Sequence, residues 1–298
     1  MTNTKDAHSS WFGRLFGGLF GGNRRYDLTA EQSRLLIEEL KRRTAVHAVK
    51  INAKSAKNLP LGASKFGGVP YWNPVEPYPT DEEGNKLALL AQIDLANVPH
   101  LPDFPNTGLL QFFIAPGDGY GMGSPKGHRV IWHEIVDASV TEEAIIALDI
   151  PTTRSLENKK KRKYLYLPLF KEYELCFELT ETFDAGTFEF DKTLEASASA
   201  LGLEIPNDWH ISEYIDTDTY EELLVDVNNG HWIGGYPCFT QEDPRQIDGY
   251  AAYTTLLLQI DSEDDIMWGD AGVGNFFIRP EDLRKRDFSK VFYTWDCT

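Results

Sequence analysis

The chain has 298 residues, 42% hydrophobic and 25% charged, a balance that supports a buried core and excludes disordered and fibrous classes. Its 46 Asp and Glu against 29 Lys and Arg give a formal charge of −17, so nucleic acid is not expected as a partner, because phosphates must be neutralised by cations. The charge is uneven: residues 1–65 carry 12 basic and 5 acidic side chains, whereas residues 66–298 carry 17 and 41, so a basic N-terminal stretch precedes an acidic body.

Trp11 to Gly22 is short, aromatic and glycine-rich, and it lacks the charged start and small-residue cleavage site of a secretion signal. Residues 1–26 are therefore expected to form a flexible arm whose removal leaves thermal stability nearly unchanged, ahead of a single compact domain over 27–298. Thr29 and Gln32 make a capping box before Leu35, Leu36, Ile37 and Leu40, with Lys41, Arg42 and Arg43 at the negative end of the helix dipole. This predicts a helix over 29–43. Alternation over Ala45 to Ile51 predicts a strand, and the polar stretch from Asn52 to Phe66 a loop.

An internal correspondence organises the rest. Gly67-Gly68-Val69-Pro70 precedes Gln92-Ile93-Asp94 by the same interval that separates Gly234-Gly235-Tyr236-Pro237 from Gln259-Ile260-Asp261. Gly108 to Ile114 then answers Gly272 to Ile278, and Arg129 to His133 answers Lys290 to Thr294. Each copy, 67–133 and 234–294, reads as a Gly-Gly-x-Pro turn, a loop and three strands. The expected fold is α+β, a duplicated β-rich unit of two pseudo-symmetric three-stranded halves that pack together or share a sheet, with covering helices.

The region between the copies, 137–229, predicts a short helix over Val140 to Leu148, a strand over Tyr164 to Leu167 after the solvated basic run Lys159 to Lys163, and a half-buried strand over Glu172 to Phe183. Two more helices follow: Thr193 to Leu201, capped by Gly202, and one from Asp216 or Asp218 towards Asn229-Gly230.

No nucleophile elbow, P-loop, Rossmann fingerprint or His-Glu-x-x-His helix occurs. Asp261 to Asp265 starts like a calcium loop, but Ile266 and Gly272 stand where that loop needs Gly and Glu, and the histidines are scattered, so no metal and no cofactor are expected. Cys176, Cys238 and Cys297 lack any Cys-x-x-Cys spacing and point to a reducing, cytoplasmic setting. No run of 18 apolar residues predicts a transmembrane segment. Paired Gln92 and Gln259, with Asp94 and Asp261, are read as turn-closing side chains that bond to the backbone. The candidate ligand or partner groove is the turn Met267 to Gly272, where Trp268 offers a stacking face beside Asp270, together with Trp72, His231, Trp232 and Asn275. Recognition by Trp268 requires that its ring be exposed.

Ser64 to Pro70, Leu90 to Leu95, Gly108 to Phe113, Leu257 to Ser262, Met267 to Gly272 and Asn275 to Ile278 resemble the YwqG-like family of bacterial proteins. That resemblance implies a duplicated α+β fold of unknown function, without assigned catalytic residues and with some members associated with toxin-immunity loci. The chain is thus read as a protein-interaction module in preference to an enzyme, immunity-type and masking a basic protein partner. The alternative is a small-molecule-binding protein or hydrolase that uses the groove around Trp268 and Asp270.

Overall fold

The computed structural model describes residues 27–154, 166–206, 210–247 and 249–298. The arm over 1–26 and the basic run Lys159 to Lys163 lie outside the described residues. Helix α1 (Ala30–Thr44) starts where the capping box places it: Thr29 Oγ1 accepts the Gln32 N–H at 3.3 Å and Gln32 Oε1 accepts the Thr29 N–H at 3.0 Å. Its apolar stripe, Leu36, Ile37 and Leu40, is fully buried.

The strands are β1 (Val46–Ala56), β2 (Lys65–Phe66), β3 (Ala88–Asp94), β4 (Leu109–Ile114), β5 (His128–His133), β6 (Glu172–Thr182), β7 (His231–Gly234), β8 (Thr255–Asp261), β9 (Val273–Ile278) and β10 (Val291–Asp296). All pair antiparallel in one sheet of order β10-β9-β8-β7-β1-β6-β2-β3-β4-β5, which coils into a nearly closed barrel. The two edges meet through side chains, with His128 Nε2 3.0 Å from the Val291 carbonyl.

Two expectations are corrected here. Asn52 to Ala56 is strand, not loop, because β1 pairs along its whole length with β6, from Val46 opposite Thr182 to Ala56 opposite Glu172. Tyr166 and Leu167 are not in a strand.

Side chains alternate between two environments. Leu110, Phe112 and Ile114 of β4 and Phe276 and Ile278 of β9 fill the barrel interior, where Phe112 and Phe276 meet edge to face at 5.1 Å. Phe113 and Phe277 point outward into two separate apolar clusters, one with Trp72 and Leu89, the other with Trp232 and Leu256. A fourth cluster joins α1, α3 (Phe190–Leu201) and α4 (Thr217–Leu223) into a helical layer with a core of its own. Gly202 ends α3 at φ +67, and Asp216 caps α4, which stops at Leu223, short of the predicted end. Helices α2 (Glu142–Ile146) and α5 (Pro280–Arg284) are single turns.

The ladders of the two halves run in parallel. β3 pairs β4 with Gln92 opposite Gln111 and a register shift between Leu89 and Ala91; β8 pairs β9 with Gln259 opposite Asn275 and a shift between Leu256 and Leu258. In the last strands, Ile131 faces Gln111 and Thr294 faces Asn275, so Ile131 corresponds to Thr294 and His133 to Asp296. The sequence correspondence slips there by two residues, which preserves the face and so leaves the apolar pattern intact. Each half borrows its fourth neighbour: β1 precedes the first unit but pairs with β7, and β6 precedes the second but pairs with β2. In this scheme Lys50 matches Glu174, and the directly opposed Asn52 and Cys176 mark the centre of the arrangement.

Candidate functional site

Two buried glutamines brace the chain against the sheet. Gln92 Oε1 accepts the Tyr71 N–H at 2.9 Å, while its Nε2 donates to the Leu61 and Ala63 carbonyls at 2.8 Å. Gln259 repeats this with the Cys238 N–H at 2.8 Å and the Asn228 and Gly230 carbonyls at 2.8 Å. Both amides are fully buried and staple the chain after each Gly-Gly-x-Pro turn to its sheet. Removing Gln259 takes the side-chain partner from three backbone groups and removing Gln92 from the Tyr71 N–H and the Ala63 carbonyl, the Leu61 carbonyl keeping Lys65, so Gln92→Leu and Gln259→Leu are each expected to cost about 2–4 kcal/mol in a denaturant melt.

The residues expected to line one groove are dispersed. Trp268 has no accessible surface; its ring sits in the barrel interior, 5.5 Å from Tyr120 and 6.4 Å from Tyr293, so the expected exposed face is absent. Asp270 is exposed on the same turn, its carbonyl accepting the Thr298 hydroxyl at 2.7 Å. Trp72 belongs to the outer cluster of the first half, with its indole N–H on the Glu76 carbonyl, and Trp232 to that of the second half, with its N–H on the Asn229 carbonyl. Asn275 is buried beneath the second turn and donates to the Cys238 carbonyl at 3.0 Å.

His231 is buried, and both of its ring nitrogens are engaged. Nδ1 accepts the Asp261 N–H at 2.9 Å, so Nε2 carries the proton and donates it to Glu263 Oε1 at 2.9 Å, which helps hold that carboxyl below its usual range. With no free lone pair, the imidazole is arranged as a brace and not as a general base.

Comparing the halves exposes a charged cluster that sequence inspection missed. Where the second half has Trp232 and Ala48 under its Gly-Gly turn, the first has Lys65 and Glu172. Lys65 is 1% exposed and donates to the Pro60 and Leu61 carbonyls at 3.0 and 3.3 Å; burial pushes its ammonium down to about 8, against a smaller opposing pull from Glu172. Glu172 is bound by Arg154, which also reaches Glu142 of α2, and it accepts the Leu59 N–H at 3.3 Å. Gly68 must be glycine here, since a Cβ at its φ of +78 would stand 2.9 Å from the Glu172 carboxyl carbon. A groove of about 690 Å³, lined in part by Lys57, Thr153, Arg154, Lys171 and Asp265, opens beside the cluster.

The depressed Lys65 sets a pH dependence. The unfolded chain keeps that proton up to about 10.5 and the folded chain only to about 8, so folding is penalised below pH 8 and the penalty fades as pH rises between these values. The stability difference between wild type and Lys65→Met should therefore shift in favour of wild type from pH 8 to 10.5, as read by parallel urea melts.

Acidic charge concentrates on the part of the helical layer that holds α3 and α4. Residues 184–230 contain twelve Asp and Glu and a single Lys, Lys192. Glu189, Asp191, Glu195, Glu204, Glu213, Asp218, Glu221, Glu222 and Asp226 are exposed, and Arg34 of α1 pairs with Glu222 at 2.5 Å. Among the described residues there is no cluster of three His, Cys, Asp or Glu that could hold a metal, and no helix is long and apolar enough to cross a membrane.

No curated protein matches the chain. Residues 64–297 match the family described as a domain of unknown function, DUF1963, a match that spans β2 to β10 and omits α1 and β1, although β1 lies at the centre of the sheet. With most of its length matched, the chain belongs to that family.

Proposed function

We propose that the protein is an interaction module that docks a basic protein surface on the acidic helical layer. The observation that carries this reading is the local charge balance: residues 184–230 hold twelve Asp and Glu against one Lys, and nine of these carboxylates are exposed on α3, α4 and the chain around them, more one-sided than the rest of the surface, where exposed carboxylates are interspersed with Lys and Arg. The likeness to the YwqG-like family, whose members include some at toxin-immunity loci, supports an immunity-type role in which this face masks a cationic partner. No observation favours the alternative groove at Trp268 and Asp270, because the ring that would recognise a ligand is buried.

The test uses immobilised oligolysine and a lysine-rich basic protein as probes. Replacing Asp191, Glu195, Asp218 and Glu221 by Gln and Asn should weaken binding at least about tenfold and flatten its salt dependence. A control that removes four charges elsewhere, Glu76, Asp81, Glu82 and Glu83, should bind as wild type does. Equal losses in both variants would reduce the effect to net charge and overturn the assignment of the face.

We infer also that the two halves arose by duplication. The matched glutamine staples, the matched register shifts and the reciprocal exchange of β1 and β6 support this reading, since unrelated halves have no reason to share side-chain-to-backbone bonds residue by residue.

A further inference from the structure

We propose that the outer face of β9 and β10 binds one hard, singly charged cation, Na⁺ or K⁺, through Asn275 Oδ1, Thr294 Oγ1 and Asp296 Oδ1. The argument comes from what the two halves place at equivalent positions. In the first half these are Gln111, Ile131 and His133, and they satisfy one another: Gln111 Nε2 donates to the Tyr71 carbonyl, which fixes the amide, and His133 Nε2 donates to Gln111 Oε1 at 2.8 Å.

In the second half the donor is gone. Asn275 Nδ2 donates to the Cys238 carbonyl, which fixes its amide the same way round, so its oxygen occupies the place of the Gln111 oxygen. Asp296 stands where His133 stood but has no N–H to offer. Its Oδ2 accepts the Thr240 and Gln241 N–H groups at 2.9 Å, and its Oδ1 has no hydrogen-bond partner. Asn275 Oδ1 has none either, and Asn275 is fully buried. Two buried acceptors stand on one diagonal, neither oxygen has a hydrogen-bond partner, and the imidazole N–H of the first half has no counterpart, which calls for a positive centre.

The third oxygen is an exchange of the same kind. Ile131 becomes Thr294, directly opposite Asn275, and the Thr294 hydroxyl directs its hydrogen to Met122 Sδ at 3.8 Å, which leaves its oxygen lone pairs available. An amide, a hydroxyl and a carboxylate oxygen make a hard donor set, and a single carboxylate balances a single positive charge. The neighbouring carboxylate, Asp261, has its oxygens occupied by the Gly230 and Ser262 N–H groups, and burial raises the Cys238 thiol well above its usual range, so it stays protonated and offers no thiolate.

Thermal melts of the full-length protein at equal ionic strength test this. NaCl or KCl should raise Tm by about 3 °C or more over tetramethylammonium chloride, whose cation is too large to enter. Asp296→Asn can present its own NH₂ to Asn275 Oδ1, and the double variant Asn275→Gln, Asp296→His rebuilds the pair of the first half. Both should lose the ion dependence, and Asp296→Asn, which keeps an oxygen for the Thr240 and Gln241 N–H groups, should melt no lower than wild type in tetramethylammonium. If these variants do not fold, a crystal soaked in RbCl decides, with an anomalous peak between Asn275 and Asp296 expected. Equal melting of wild type in all three salts, with no Rb⁺ peak, would reduce the feature to a bridging water and overturn the proposal. A rise only on acidification would assign a proton to Asp296, and a response to Ca²⁺ or Mg²⁺ alone a divalent ion; either overturns it.

Discussion

Replacing Glu172 by Ala should destabilise the protein by about 3–5 kcal/mol, because it removes the carboxylate that binds both Arg154 and the Leu59 N–H near the buried Lys65 ammonium. The magnitude follows from what would be left behind. Lys65 is held by two carbonyl dipoles, and its charge in a site with 1% exposure depends on the nearby anion. Arg154 retains Glu142 at the partly exposed side, so the loss is shared between Arg154, the Leu59 N–H and the Lys65 charge. Two variants separate charge from packing. Glu172→Gln keeps the shape and should still cost most of that amount, whereas the pair Lys65→Trp, Glu172→Ala copies the second half and should recover a substantial part of it. A Glu172→Ala that melts like wild type would show that the cluster contributes nothing net to stability.

The pattern of what was legible follows from the range of each signal. The capping box of α1, the alternation of β6 and the Gly202 cap are local, and local physics decides them. The glutamine staples were legible because the sequence itself repeats: Gln92 and Gln259 recur at one spacing from a Gly-Gly-x-Pro turn, and a polar residue that recurs inside an apolar strand must have a fixed partner. The ends of strands were not. Asn52 to Ala56 is polar enough to read as loop, and it is strand only because Glu172 to Cys176 lies opposite and supplies the ladder. The two-residue slip in the last strand has a similar origin, since a shift of two leaves every side chain on its proper face and only hydrogen-bond register reveals it. Lys65 and Glu172 are 107 positions apart and carry no common motif, so nothing before the fold could join them.

Trp268→Ala should cost about 3–5 kcal/mol, and it should do so without any effect on binding. The ring is fully buried, and the fold has been shaped around it. Gly274 on β9 corresponds to Leu110 on β4, and a Cβ at Gly274 would lie 2.4 Å from the Trp268 ring; the second half has no strand side chain at this position, and an indole from the loop that precedes β9 fills the space. The turn Met267 to Gly272 supports that placement, with Met267 N–H on the Pro168 carbonyl at 2.7 Å, Trp268 N–H on Ser262 Oγ at 2.9 Å and Gly272 N–H on the Trp268 carbonyl at 2.8 Å. A tryptophan beside Asp and two glycines has the composition of a binding loop, yet the same composition serves a plug: the glycines let the turn close tightly against Trp295 and Cys297, and the ring goes inward. Restoring the missing strand side chain tests this directly. Gly274→Leu alone should be strongly destabilising through overlap with the indole, while Gly274→Leu combined with Trp268→Ala should recover part of the loss by refilling the interior as Leu110 does in the other half. Denaturant melts of the three variants measure the coupling, and additive losses would show that the ring and the glycine do not share one volume.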